Sequence, residues 1–176
     1  GKNTWTIGAY ANWGQETTAG VTRRITDKTG ASGQYDRQLG AKTSLFGLAA
    51  WQRDSLAFLN YRVILSAGAG YKFVEKDDIF LKGDLGLGPT FEDYSTGESK
   101  EILSARLAYG FWWQCLENLK LEQDTNFLPG LTESDAYLVR VDTRFKSTLG
   151  GPLFAQIQHI FEYNNAPAAG ATKTDT

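Results

Sequence analysis

From Leu59 to Phe73 the residues change character at every step. The odd positions are Leu59, Tyr61, Val63, Leu65, Ala67, Ala69, Tyr71 and Phe73, and the even ones are Asn60, Arg62, Ile64, Ser66, Gly68, Gly70 and Lys72. A period of two held for about fifteen residues describes one long β-strand with an apolar face and a polar face, a pattern that a helix cannot hold.

The pattern returns along the chain. Ile79, Leu81, Leu85, Leu87, Pro89 and Phe91 alternate with Lys82, Asp84, Thr90 and Glu92. Leu103, Ala105, Leu107, Tyr109, Phe111 and Trp113 alternate with Ser104 and Arg106. Leu119, Leu121, Thr125 and Phe127 alternate with Lys120, Glu122, Asp124 and Asn126. Tyr137, Val139, Val141 and Phe145 alternate with Arg140, Asp142, Arg144 and Lys146. Leu153, Ala155, Ile157, Phe161 and Tyr163 alternate with Gln156, Gln158 and Glu162, and near the start Trp5, Ile7, Ala9, Ala11 and Trp13 alternate with Thr4, Thr6 and Asn12. Residues 44–53, apolar at both parities, and 21–36, polar at both, are read as two further strands. The total is roughly nine strands and no helix.

Tight turns are expected near Leu39–Thr43, Glu75–Asp78, Gln114–Asn118 and Ser147–Pro152. Longer polar loops are expected at Gln15–Gly20, Asp54–Ala57, Asp93–Lys100, Pro129–Asp135 and Asn164–Lys173. Short turns at one end and longer loops at the other describe an up-and-down meander of hairpins. The domain expectation is one β-barrel over residues 1–165, followed by a polar loop or tail over 166–176.

Composition narrows the function classes. Eighteen basic and twenty acidic side chains leave a net charge of -2, so no general field attracts nucleic acid. No apolar run approaches the length of about 18 residues that a transmembrane helix needs. One cysteine excludes a disulfide framework and a four-ligand zinc cluster. The absence of methionine points to a processed N-terminus or a fragment, and no signal peptide is left to read.

Alternation does not say which face is inside. A soluble lipocalin-type barrel turns the apolar face inward, and an outer-membrane barrel turns it to lipid. Three features favour lipid. The strands run to ten residues or more, where soluble strands have about five or six. The aromatics Trp5, Trp13, Tyr61, Tyr71, Phe73, Phe91, Phe111, Trp113, Tyr137, Phe145, Phe161 and Tyr163 lie towards strand ends, where a membrane interface holds amphipathic rings. On the polar parity, Arg62, Lys82, Asp84, Arg106, Lys120, Glu122, Asp124, Arg140, Asp142 and Arg144 form a ladder of mixed sign, which can pair inside a barrel. The expectation is an all-β, antiparallel up-and-down transmembrane β-barrel. In the soluble alternative, Leu65, Leu85, Leu107 and Val139 surround a ligand.

The sequence also resembles the bacterial family of salt-induced outer-membrane proteins, a domain of unknown function. The resemblance lies in Tyr35–Asp36–Arg37, Trp51–Gln52–Arg53–Asp54, and Tyr61–Arg62 followed by Leu65–Ser66–Ala67–Gly68–Ala69–Gly70–Tyr71. It continues in Gly86–Leu87–Gly88–Pro89, in Glu92–Asp93–Tyr94 and in Phe127–Leu128–Pro129. The resemblance implies a Gram-negative-type bacterial outer membrane, with outer-membrane lipid as a partner. It also implies an additional hairpin before this chain and a closing strand after it. Those make about twelve strands in all, supplied by a longer chain or by another protein chain.

No motif indicates catalysis, and neither an enzyme nor a cofactor is expected. Gly83-x-x-Gly86-x-Gly88 lies within an alternating strand instead of opening a helix, so its glycines are read as strand glycines that admit curvature or a neighbouring ring. His159, the sole histidine, lies on the lipid-facing parity near a strand end without a serine motif beside it, and is read as interfacial packing. Cys115 is read as a turn residue. Glu75, Asp77 and Asp78 in one turn, and Glu92, Asp93, Glu98 and Glu101 in one loop, are read as solvated carboxylates without calcium-loop spacing. The ladder leaves two functional readings. Fully paired, it fills a scaffold or partner-binding barrel. With an unpaired basic stripe, it lines a narrow pore for small solutes or anions.

Overall fold

The computed structural model describes residues 2–150, 153–167 and 173–175. Nine long strands follow one another: β1 (Asn3–Thr18), β2 (Val21–Gln38), β3 (Thr43–Asp54), β4 (Leu59–Glu75), β5 (Ile79–Tyr94), β6 (Ser99–Leu116), β7 (Leu119–Pro129), β8 (Tyr137–Gly150) and β9 (Leu153–Asn164). A two-residue β10 (Thr174–Asp175) completes the order, and no helix occurs among the described residues. Every strand pairs antiparallel with the next, in one sheet ordered β1 to β10. Sequence neighbours are therefore spatial neighbours throughout, as in a meander of hairpins.

Odd and even positions separate cleanly in the central strands. In β4, Arg62, Ser66 and Gly70 are buried while Tyr61, Leu65, Tyr71 and Phe73 are exposed. The sheet curls so that the even face is concave. Lys82 on β5 reaches Asp36 on β2, and Arg106 on β6 lies over the Phe46 ring on β3. The buried residues are correspondingly mixed: Phe46, Leu59, Tyr94 and Ile102 together with Lys28, Arg62, Glu92 and Arg106. Large apolar side chains populate the convex face instead, with Leu85 61 % exposed against 7 % for Arg106. This overturns the ligand-lining expectation for Leu65, Leu85 and Leu107, which all lie exposed on the outside.

Glycine sets the closeness of β4 and β5. A Cβ on Gly68 would stand 2.0 Å from the Leu85 carbonyl oxygen, and one on Gly88 would stand 2.0 Å from that of Leu65. Gly68 and Gly86 are register partners, so two bare backbones face each other there. Gly83 makes room for a ring, since its Cβ would meet Phe73 Cε2 at 2.9 Å. Gly83, Gly86 and Gly88 are thus strand glycines in β5.

Several boundaries differ from the sequence reading. Gln15–Thr18 belongs to β1, and the expected loop shrinks to Ala19–Gly20, both with positive φ (53° and 80°). Those angles suit the twist of a two-residue hairpin. Cys115 lies in β6 instead of a turn, with its Sγ 3.7 Å from the Trp113 carbonyl oxygen. Asp93 and Glu101 are strand residues, and Glu92 is buried and ion-paired, so the solvated-loop reading fails for it. In the expected tail, residues 168–172 and 176 lie outside the described residues, while Thr174 and Asp175 pair with Tyr163 and Glu162 of β9. Pro152, at the end of an expected turn, also lies outside them.

Candidate functional site

The concave face carries the only concentrated chemistry among the described residues, and the hairpin register builds it. Register partners share a face, so the even-numbered charges of neighbouring strands gather on one side of the sheet. Arg62 of β4 is opposite Glu92 of β5, and the Arg62 Nε–H donates to Glu92 Oε1 at 2.6 Å. The Tyr94 hydroxyl donates to Glu92 Oε2 at 2.7 Å, so both carboxylate oxygens have partners. Arg62, Glu92 and Tyr94 are all buried.

A second group spans the curl. Lys82 Nζ donates to Asp36 Oδ1 at 2.7 Å and stands 3.1 Å from Asp84 Oδ1. Arg106 Nη1 is 3.6 Å from Asp84 Oδ2, and its Nε–H donates to Asn126 Oδ1 at 3.1 Å. The guanidinium carbon lies 5.1 Å from the Phe46 ring centre, a cation–π distance.

On β7 and β8, Asp124 and Asp142 are direct register partners, which is unfavourable for like charges. Arg144 relieves that repulsion by pairing with Asp124 and approaching Asp142 at 3.5 Å and Glu122 at 3.8 Å. Lys120 pairs with Glu122 at 2.7 Å and stands over the Trp112 ring at 4.6 Å. The fourth group joins opposite walls: Glu162 of β9 receives both Arg140 of β8 and Lys28 of β2, and Arg140 faces the Tyr10 ring of β1.

All ten ladder residues read from the sequence thus lie on the concave face, and each of the six basic ones has a carboxylate partner. Arg140 finds its partner on β9 instead of on the neighbouring β7. Sequence reasoning missed Tyr10, Lys28, Asp36 and Asp54 as interior groups, and left Glu92, Asn126 and Glu162 outside the ladder. Parity alone would have added Glu162, which continues the even series of β9.

The aromatics fall at two ends. Because successive strands reverse direction, Trp5, Tyr71, Phe73, Phe111, Trp113 and Phe145 gather near the end with the short turns at 39–42, 76–78 and 117–118. Trp13, Tyr61, Phe91, Tyr137, Phe161 and Tyr163 gather at the other. Trp5 and Tyr35 contact across β1 and β2 at 4.8 Å, and Tyr137 and Tyr163 stack at 5.7 Å. Between the two belts the convex face presents Ile7, Val63, Leu65, Leu85, Leu103 and Leu107.

Outside the interior, Asp93 accepts hydrogen bonds from Asn60 Nδ2 (2.8 Å) and Ser99 Oγ (2.9 Å) at the loop end of β5. These bonds, Asn60 first, hold its carboxyl below the usual carboxylate range. His159 lies exposed within β9, with Thr143 as its register partner, further from the strand end than the sequence reading has it. No group of three or more His, Cys, Asp or Glu side chains among the described residues is arranged to hold a metal ion.

A family model described as "Protein of unknown function, DUF481" matches residues 1–176. The chain is also 26 % identical over 116 residues to a protein of Escherichia coli (strain K12) described as "Uncharacterized protein YdiY". That match covers 65 % of this chain and 46 % of the relative, so the chain spans less than two thirds of that protein's length. No solved structure matches the chain.

Proposed function

The chain belongs to the DUF481 family, and we propose that it is an outer-membrane β-barrel with a charge-filled interior, serving as a scaffold or partner-binding component. One observation carries the reading: the exposed convex face is apolar and banded by aromatics, while Arg62, Glu92 and Arg106 are buried on the concave face. Apolar surface in water costs about 25 cal/mol per Å², and monomers in water rarely expose contiguous apolar patches beyond a few hundred Å². A lipid band removes that cost. A strand of ten residues tilted at about 45° spans roughly 23 Å, near the height of an outer-membrane apolar band. The ten residue steps from Tyr61 to Tyr71 match that span, with Val63, Leu65, Ala67 and Ala69 between them.

The pairing of Arg62, Lys82, Arg106, Arg140 and Arg144 favours the filled interior over a basic stripe that would select anions. The reading needs no cofactor and assigns no catalytic step. Two experiments test it. Refolded protein stays monomeric only with detergent or lipid; monodisperse protein in plain buffer refutes the location. In planar bilayers it produces no channel events over a wide voltage range; steady unitary conductance refutes the filled interior in favour of the pore.

A further inference from the structure

We infer that one strand, antiparallel to both neighbours and opened by Thr174–Asp175, fills the seam between β9 and β1, closing a ten-stranded barrel. The sheet itself supplies the ruler. Where it is continuous, Lys82 on β5 reaches Asp36 on β2, and Arg106 on β6 reaches the Phe46 ring on β3; each contact spans three strand-to-strand steps. Similar side chains also meet across the seam. Lys28 on β2 pairs with Glu162 on β9, and Arg140 on β8 lies 5.8 Å from the Tyr10 ring of β1. In each seam contact one step lies within the sheet, β2 to β1 or β8 to β9. If the reach is again three steps, two remain between β9 and β1, the width of one strand, about 9.6 Å.

Direction gives the same parity. Eight antiparallel pairings separate β1 from β9, so the two run parallel and cannot close the antiparallel order directly. An odd number of strands must stand between them. The resemblance implies three, whereas the seam contacts fit one. Thr174 and Asp175 pair antiparallel with Tyr163 and Glu162, so this polypeptide enters the position from the end with the longer loops.

The unpaired edges fit such an occupant. Asn12 on β1 and Gln156 and Gln158 on β9 lie on the concave parity yet are exposed, unlike their buried counterparts in β4. On the convex parity, Ile7, Leu153 and Ile157 are also exposed. The added strand would turn uncharged hydrogen-bonding side chains inward and apolar ones outward.

The test uses the full-length protein with Cys115→Ser and the pair Ala11→Cys and Phe161→Cys. Both positions point outward, next to Tyr10 and Glu162, whose side chains share Arg140. Thiol linkers of graded length are applied to the protein folded in vesicles. A linker spanning about 10 Å is expected to couple the pair within one chain, with the β1 amides that face away from β2 also protected from hydrogen exchange. A direct disulfide, coupling only by linkers near 19 Å (four strand steps), or coupling only between two copies overturns the proposal. Exchange of the β1 amides that face away from β2 also overturns it, because it means an open seam. The inference rests on the curl of the sheet and not on the barrel's location, so it stands or falls separately from the proposed function.

Discussion

Replacing Glu92 by Gln removes the charge that Arg62 faces while keeping nearly the same shape. Arg62 and Glu92 expose only 9 % and 4 % of their side chains, and the bond between them is 2.6 Å. If the interior is packed and dry, the substitution leaves an uncompensated buried guanidinium, which costs about 3–5 kcal/mol. That is a factor of roughly 10² to 10³ or more in the folding equilibrium. Removing both charges together, as Arg62→Met with Glu92→Gln, takes away the attraction and the charge desolvation alike, while the new amide still offers the Tyr94 hydroxyl an acceptor, so the double variant is expected to recover most of the loss. Urea unfolding in vesicles of fixed composition, followed by tryptophan fluorescence, measures the four corners of this cycle. The partly exposed pair Lys72–Glu75, at 2.5 Å, is the internal control, and Glu75→Gln should cost under about 1 kcal/mol. If Glu92→Gln costs no more than the control and the cycle is additive, the pair sits in a water-filled channel, and the filled interior is refuted.

Gly68→Val should lower the urea midpoint by the equivalent of about 1–3 kcal/mol, because its Cβ would strike the Leu85 carbonyl at 2.0 Å. Gly47→Ala should be neutral or stabilising by up to about 1 kcal/mol, since nothing lies within 4 Å of a Cβ there. Asn60→Ala should raise the Asp93 pKa, read by NMR titration, because it removes the largest cause of the depression. A depressed carboxylate stabilises the fold above its unfolded pKa and loses that contribution as pH falls through its folded pKa. Acidification through the carboxylate range should therefore weaken the Asn60–Asp93–Ser99 cluster, and less so in the Asn60→Ala variant.

Strand existence and facing were legible because parity is a local property. From Tyr61 to Phe73 the alternation gives the face of each residue, whereas Leu59, beyond an irregularity in the β4–β5 register, is buried against Tyr94; the ladder follows once Lys120–Asp124 and Arg140–Arg144 are read as neighbours. The strand β2 was harder, since its outward positions Thr29, Ala31 and Gly33 are small and give little apolar contrast. The strand over 21–36 was expected, but nothing marked Lys28 and Asp36 as inward-facing, although they are interior groups paired with β9 and β5. Which side chains meet across the interior depends on the radius of curl, which no alternation encodes. The hairpin at Ala19–Gly20 was hidden for another reason: alanine at φ 53° occupies a conformation usually left to glycine or asparagine.

Trp112 and Trp113 are consecutive residues near the same end of β6, so they share a depth and differ only in face. Trp113 points outward and is 44 % exposed, whereas Trp112 points inward, stacked 6.2 Å from Phe80 beneath Lys120. Two variants that each keep one of them, the other tryptophans changed to Phe, are folded into vesicles containing bromine-labelled lipid chains. Strong quenching of Trp113 with little of Trp112 is the result that an apolar, lipid-facing convex surface predicts. Equal quenching, stronger quenching of Trp112, or none for either contradicts it.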